Sequence, residues 1–283
     1  MSASQPVGDP QRPVGDPRPV GDPQPVGDPQ RPVRVALIAR EPDHPLLAGA
    51  RELLEADGHL FVPDDRPADV VLLKARSQDA LQRAEHHQRS GVPVLNSAGS
   101  TGRCQDRDWM ERTARAAGLP FAPTLGRGVL GRLPWDGPVV VKSLRSRKED
   151  LVARADTPAQ WRALAERWPG EPVLTQRPVD GDGWDRKVWV VGGRVFAEQR
   201  RSELVPGAPE RRPWTPDDRE RAIALAAGPA FGLQVYGVDL LPGPDGPVAV
   251  DVNAFPGVRH QPGAPEALAA LVLRTARRRD VRG

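Results

Sequence analysis

The chain has 283 residues, 39% of them hydrophobic and 27% charged, enough for one large domain or two modest ones around a sizeable core. Forty Lys and Arg against 37 Asp and Glu leave a formal charge of +3. That surplus is slight, and one Tyr and five Phe offer few stacking platforms, so no nucleic-acid partner is expected. The single cysteine, Cys104, excludes an internal disulfide framework and a cysteine-rich zinc site. No apolar run approaches the ~18 residues of a membrane span. The first residues lack an apolar signal-peptide core, so no membrane and a cytoplasmic setting are expected.

Residues 1–32 are low in complexity. The pentapeptide PVGDP occurs at 6–10, 13–17, 19–23 and 25–29. Repeated Pro removes backbone donors and nothing there can pack a core, which predicts a disordered, partly polyproline-II tail. Two roles are open for it, a solvated tail and a docking segment for a protein partner.

Order is expected from residue 33. The apolar run 35–39 predicts a buried strand, 45–57 a helix ended by Gly58, and 69–73 a second strand. Ser77 predicts an N-cap for a helix to about residue 89, and 91–95 a third strand. This alternation argues for a parallel sheet with helical crossovers over 33–100. Beyond it, the pattern predicts helices at 106–117 and at 158–168 behind Thr157, and strands at 138–142 and 173–176. A hairpin with a Gly192-Gly193 turn is expected over 186–199, then a helix from a Thr215 cap to about 227. Strands at 234–241 and 248–253 and a helix at 265–278 complete the chain.

Of the forty cationic side chains only Lys74, Lys142, Lys148 and Lys187 are lysines. In so Arg-dominated a chain each lysine asks for a role. Lys142 closes the apolar run Val139-Val-Val-Lys, where rigid neighbours aim its ammonium as a point charge at a phosphate. Asp251 and Asn253 share one strand face by alternation, and Asp239 lies on the neighbouring strand. Three such oxygen donors form a site for a hard cation such as Mg²⁺. Asp185 and Lys187 share a face of the hairpin, with Arg201 at the end of its partner strand.

The order of these motifs resembles the ATP-grasp superfamily, particularly the ribosomal-protein-S6 glutamate-ligase type and the inositol-trisphosphate 5/6-kinase type. The resemblance runs over roughly 70–260. It is carried by Asn96, Cys104-Gln-Asp-Arg107, Ala117-Gly-Leu-Pro120, the Lys142 strand, Thr175-Gln-Arg-Pro-Val179, Asp185-Arg-Lys-Val-Trp189, Gln199-Arg-Arg-Ser202, Gly237-Val-Asp239 and Asp251-Val-Asn-Ala-Phe-Pro-Gly257. It implies an α+β architecture, two α+β lobes clamping ATP, over residues 101–283 behind the small α/β domain. By that resemblance Arg107 and Lys142 hold phosphates. Gln176, Arg177 and Val179 form the adenine hinge and Asp185 holds ribose. Lys187 and Arg201 face the γ-phosphate or the acceptor. Asp239, Asp251 and Asn253 bind Mg²⁺, with Mn²⁺ as a substitute.

Two departures from the family pattern stand out. The segment after the Lys142 strand, Ser143-Leu-Arg-Ser-Arg-Lys-Glu-Asp150, has no glycine where relatives carry a Gly-rich flap. Arg145, Arg147 and Lys148 either cover phosphates electrostatically or bind an anionic acceptor. The family's Arg-Ser-Asn element is also missing after Ser202, where Arg211 and Arg212 are the available substitutes. Gly126-Arg-Gly-Val-Leu-Gly131 spells a dinucleotide fingerprint but lacks the strand–turn–helix context, and no P-loop is present. The implied function is an ATP- and Mg²⁺-dependent carboxylate–amine ligase acting through an acyl phosphate on a small-molecule or peptide acceptor. Its alternatives are a small-molecule kinase of the inositol-phosphate type and a non-catalytic nucleotide-binding protein. Relatives are often oligomers, which leaves a homo-oligomer open.

Overall fold

A computed structural model describes residues 31–280; the PVGDP repeats lie outside the described residues. The first sheet is parallel, in the order β2 (Leu60–Val62), β1 (Arg34–Ala39), β3 (Val70–Lys74), β4 (Val94–Leu95). Helices α1 (Pro45–Ala56) and α2 (Gln78–Arg89) make its crossovers. The β3 residues Val70 to Leu73 are wholly buried, because a parallel sheet covered on both faces demands a continuous apolar run. The Ser77 hydroxyl accepts from the Ala80 amide, as its N-cap role requires. Strand β2 escapes sequence reasoning because it is three residues long and lies at the sheet edge. Helix α3 (Ala98–Arg103) escapes it because its small polar residues and glycines show no apolar period.

Helix α4 (Arg107–Ala116) is capped by the Asp106 carboxylate, which accepts from the amides of Asp108 and Trp109. The second sheet is antiparallel, in the order β5 (Thr124–Val129), β8 (Pro172–Gln176), β6 (Val139–Ser143), β7 (Val152–Ala155), and α5 (Pro158–Arg167) packs on it. Helix α5 opens with a Thr157–Gln160 capping box. The glycines that spell a dinucleotide fingerprint sit in β5 and the 3₁₀ turn Leu130–Arg132. A Cβ at Gly131 would lie 2.7 Å from the Pro169 carbonyl oxygen, so this glycine serves close packing.

The third sheet is antiparallel: β11 (Arg211–Pro213), β10 (Arg194–Arg201), β9 (Trp184–Val191), β12 (Val235–Gly243), β13 (Gly246–Ala254). Gly192 and Gly193 turn β9 into β10 with φ of 57° and 92°, a left-handed pair that a two-residue hairpin needs. Helix α6 (Asp218–Phe231) starts later than the Thr215 cap predicts. Asp217 is the N-cap, in a reciprocal box with Glu220, and the helix runs through Pro229 to a left-handed Gly232.

Helix α7 (Ala264–Asp280) closes the chain against the first sheet. Its Leu268 and Val272 join Leu46, Leu47 and Leu54 of α1, Leu72 of β3, and Val191 and Val235 of the third sheet in one buried cluster. The wholly buried Asn96 ties the same regions by polar bonds. Its Oδ1 accepts from the Gln234 and Val235 amides at 2.7 and 3.0 Å, and its Nδ2 donates to the Val235 carbonyl at 2.6 Å. These contacts fix where β12, and with it Asp239, stands.

Candidate active site

Strand register builds the charged face. Asp251 on β13 lies opposite Asp239 on β12, which lies opposite Lys187 on β9, itself opposite Glu198 on β10. Directly opposed residues share a face, so four charged side chains form one row across the sheet. Lys187 Nζ donates to Asp239 Oδ2 at 2.7 Å and stands 3.6 Å from Asp185 Oδ2. Burial disfavours the charge on Lys187, but Asp239 and Asp185 outweigh it and hold the ammonium protonated above its usual range. Burial, with Asp251 alongside, pushes the Asp239 carboxyl up against the pull of Lys187.

The opposite wall comes from the second sheet. Lys142 is buried at the end of β6 and donates to the Val250 carbonyl at 2.7 Å, bridging the two sheets. Burial lowers its pKa to about 8, partly offset by Asp251. Lys142 thus holds its proton under strain that an incoming anion would relieve. A cavity of about 210 Å³ lies between the walls. Arg107, Lys142, Gln176, Arg177, Val179, Asp185, Lys187, Asp239 and Asp251 all line it. Nine of the eleven residues singled out in the sequence therefore meet in one cleft. Sequence reasoning missed the apolar lining from Val140, Val152, Leu241 and Val250. Alternation places Val140 on the face of Lys142, a signal that was available; that β7 and β13 face it was not.

Two residues fall elsewhere. Asn253 lines an adjoining cavity of about 550 Å³, while its Nδ2 donates to Asp251 Oδ2 at 3.1 Å through the dividing wall. Arg201 pairs with Trp184, one residue out of step with the Asp185–Arg200 pair, so register turns it to the face away from Lys187. It packs instead on the 206–207 turn, donating to the Pro206 carbonyl at 3.2 Å. Arg200 is the arginine on the face of Lys187, where it pairs with Glu198 and lies over the Trp189 ring, and it does not line the cleft.

Several expected contacts are already used within the protein. Arg107 Nη1 donates to the Ser143 carbonyl and to Asp150 Oδ2, both at 2.7 Å. The Arg177 amide donates to Pro123, and Gln176 Nε2 to Ala122. The glycine-free segment does not line the 210 Å³ cleft and touches its wall only through Asp150 holding Arg107, while Arg147 and Lys148 line the 550 Å³ cavity. Arg212 stacks 3.9 Å over Trp184, and Arg211 stands 3.8 Å from Glu198.

No cluster of three or more His, Cys, Asp or Glu is poised for a metal among the described residues. Asp239, Asp251 and Asn253 offer two carboxylates and, with the Asn253 Nδ2 turned to Asp251, an amide oxygen. That donor set fits a hard cation which keeps water and phosphate oxygens in its shell.

This arrangement, two antiparallel sheets closing on an acid- and lysine-lined cleft behind a parallel sheet, is the ATP-grasp fold. The RimK-domain ATP-grasp protein of Sphaerobacter thermophilus superposes with a TM-score of 0.69 at 23% identity, over 85% of this chain and 99% of that one. D-alanine–D-alanine ligase from Bacillus anthracis, solved in complex with ATP, superposes at 0.67 with 15% identity, over 89% and 100%. Residues 128–263 match the RimK-like ATP-grasp domain family. A Methanococcoides burtonii protein named "Probable alpha-L-glutamate ligase" is 34% identical over 188 residues, 60% of this chain and 62% of its own length. The chain spans less than two thirds of the curated relatives it matches first. No described helix is long and apolar enough to cross a membrane.

Proposed function

We propose that the protein is an ATP-dependent carboxylate–amine ligase. The observation that carries the reading is the row Asp251–Asp239–Lys187 facing the buried Lys142 across one cleft. The apolar lining of Val140, Val152, Leu241 and Val250 suits a flat base, with Asp185 beside it for ribose hydroxyls. Lys142 and Lys187, from opposite walls, face the phosphates. Arg107 supports this wall by holding the Ser143–Asp150 segment in place. Asp239, Asp251 and Asn253 would hold a magnesium ion, which would supply positive charge against the phosphate oxygens.

In the reaction an acceptor carboxylate oxygen attacks the γ-phosphorus, and the bond to the β–γ bridging oxygen breaks, releasing ADP. The acyl phosphate then accepts an amine at its carbonyl carbon. Inorganic phosphate leaves and the amine gives up a proton, forming the amide. The protein positions the reactants and neutralises charge, and no side chain forms a covalent bond. The names of the relatives support a glutamate-type ligation, with a small-molecule or peptide acceptor.

The test incubates the full chain with Mg-ATP, pooled amino acids and hydroxylamine. Hydroxamate formed in step with ADP is the expected result. ADP formed with a phosphorylated hydroxyl compound, and no hydroxamate, would make the protein a kinase instead.

A further inference from the structure

Two of the four lysines, Lys142 and Lys187, belong to the cleft. The other two, Lys74 and Lys148, line the 550 Å³ cavity beside it, with Arg40 and Arg76. The two spaces share one wall, because Asp251 lines the smaller and its hydrogen-bond partner Asn253 the larger. A molecule in the larger space therefore abuts Asn253, one of the three groups proposed to hold the nucleotide's metal.

Lys74 is the cation best placed there. It ends the buried strand β3, and its Nζ donates to the Phe255 carbonyl at 3.4 Å and stands 5.9 Å over the Phe255 ring. No carboxylate among the described residues forms an ion pair with it. Glu41, an acid in the same wall, is engaged by Arg259 at 3.3 Å. Burial is the main cause that lowers the Lys74 pKa, against the pull of Glu41 and with Arg259 and Arg76 adding to it. Arg147 is held by two bonds to Glu171 and Lys148 by Glu149, which leaves Lys74 as the less neutralised lysine.

Two further observations point to a ligand. Thr101 is 1% exposed, lines this cavity, and its hydroxyl has no partner. Phe255 precedes Pro256 yet holds φ of 45°, a left-handed conformation that a bulky residue keeps only where its surroundings impose it. That kink delivers the Phe255 carbonyl to Lys74.

We infer that Lys74 is a specificity-determining residue of an acceptor pocket: it holds a second anionic group of the acceptor, while the reacting group faces Asn253. The inference rests on the ligase reading for what happens at Asn253, but not for the recognition of charge. A free carboxylate and a phosphate ester share the chemistry Lys74 would bind, so both are tested. Arg40 and Arg76, exposed at the cavity, add attraction without geometry.

The experiment titrates the full chain, by calorimetry in Mg²⁺ and a non-hydrolysable ATP analogue, with Glu-Glu dipeptide, neutral Gln-Gln dipeptide and inositol hexakisphosphate. Binding of Glu-Glu in preference to Gln-Gln identifies a carboxylate source, and binding of the polyphosphate alone a phosphate source. Lys74→Met should weaken the bound anion about 30-fold or more, with Lys74→Arg restoring most of it. Affinity for the nucleotide analogue should stay within about twofold in Lys74→Met, because the two cavities are separate. Unchanged anion affinity in Lys74→Met, equal binding of Gln-Gln, or no binding of either anion overturns the inference. Anion binding that depends on Lys74 without any hydroxamate would instead overturn the ligase reading and leave the pocket standing.

Discussion

Two strands of this protein end the same way. Val70-Val-Leu-Leu-Lys74 closes a parallel strand of the first sheet, and Val139-Val-Val-Lys142 an antiparallel strand of the second. Both lysines reach a backbone carbonyl of one segment, Phe255 for Lys74 and Val250 for Lys142. Their surroundings differ. Lys142 looks across at Asp239 and Asp251, whose carboxylates share its cleft, whereas Lys74 looks into a larger space whose wall acid is engaged elsewhere. One local motif thus serves two tasks, and the difference is set by what stands opposite. On the reading proposed above, the lysine facing two fixed acids serves a cation and phosphate, and the lysine whose wall acid is paired with Arg259 serves an anion from outside.

The sharpest way to break this contrast is to remove the acids. Asp251→Ala should lower ADP formation by about 10³-fold or more, since it takes away both a proposed metal donor and the partner of Asn253. Circular dichroism should show the fold retained. Full activity in this variant would end the assignment of the row.

A smaller effect is expected on the Lys142 side. Lys142→Met should cut kcat/KM for ATP by about 10²-fold. Because burial brings Lys142 to about 8, the wild-type kcat/KM for ATP should fall as pH rises past that value and the ammonium is lost. Lys142→Arg, permanently charged, should remove that alkaline limb whatever its absolute rate.

The Lys74 side carries its own titrating neighbour. His44 caps α1, accepting from the Leu46 amide, and its Nε2 is buried without a partner. Burial first, then the Lys74 charge, lowers its pKa from 6.5 to about 4. The unfolded chain therefore binds this proton near pH 6.5, while the folded chain refuses it until about 4. Stability from this group is complete above about 6.5 and declines as pH falls toward 4, by about 2 kcal/mol between pH 7 and 5. Urea melts at the two values should show this loss, and His44→Asn, which keeps a capping oxygen, should flatten it.

The smallest effect belongs to Cys104. Burial pushes its thiol up to about 12, so a thiol reagent at pH 8 should not label the native protein, and Cys104→Ser should retain turnover. Fast native labelling would mean that the region under Asp251 is open.

Much of this was legible beforehand. The apolar runs at β3 and β6, the caps Ser77 and Thr157, the Gly192-Gly193 turn and the pair Asp251–Asn253 are local signals, and the structure repeats them. Arg201 is the instructive failure. Adjacent arginines at 200 and 201 look equivalent in one dimension, yet a strand alternates faces, and only the β9–β10 register tells which one joins Lys187. The short edge strands β2, β7 and β11 left no periodic trace to read.

The sequence by itself determined the elements, the lone lysines that close them, and the spacing that puts Asp251 and Asn253 on one face, because these depend on backbone periodicities of a few residues. Tertiary structure alone decided that Asp239 stands between Lys187 and Asp251, that Asp251 and Asn253 open into different cavities, and that Lys74 meets Phe255 from 181 residues away. Contacts of that separation are chosen by which apolar faces must be buried together, and no short stretch of chain carries that information.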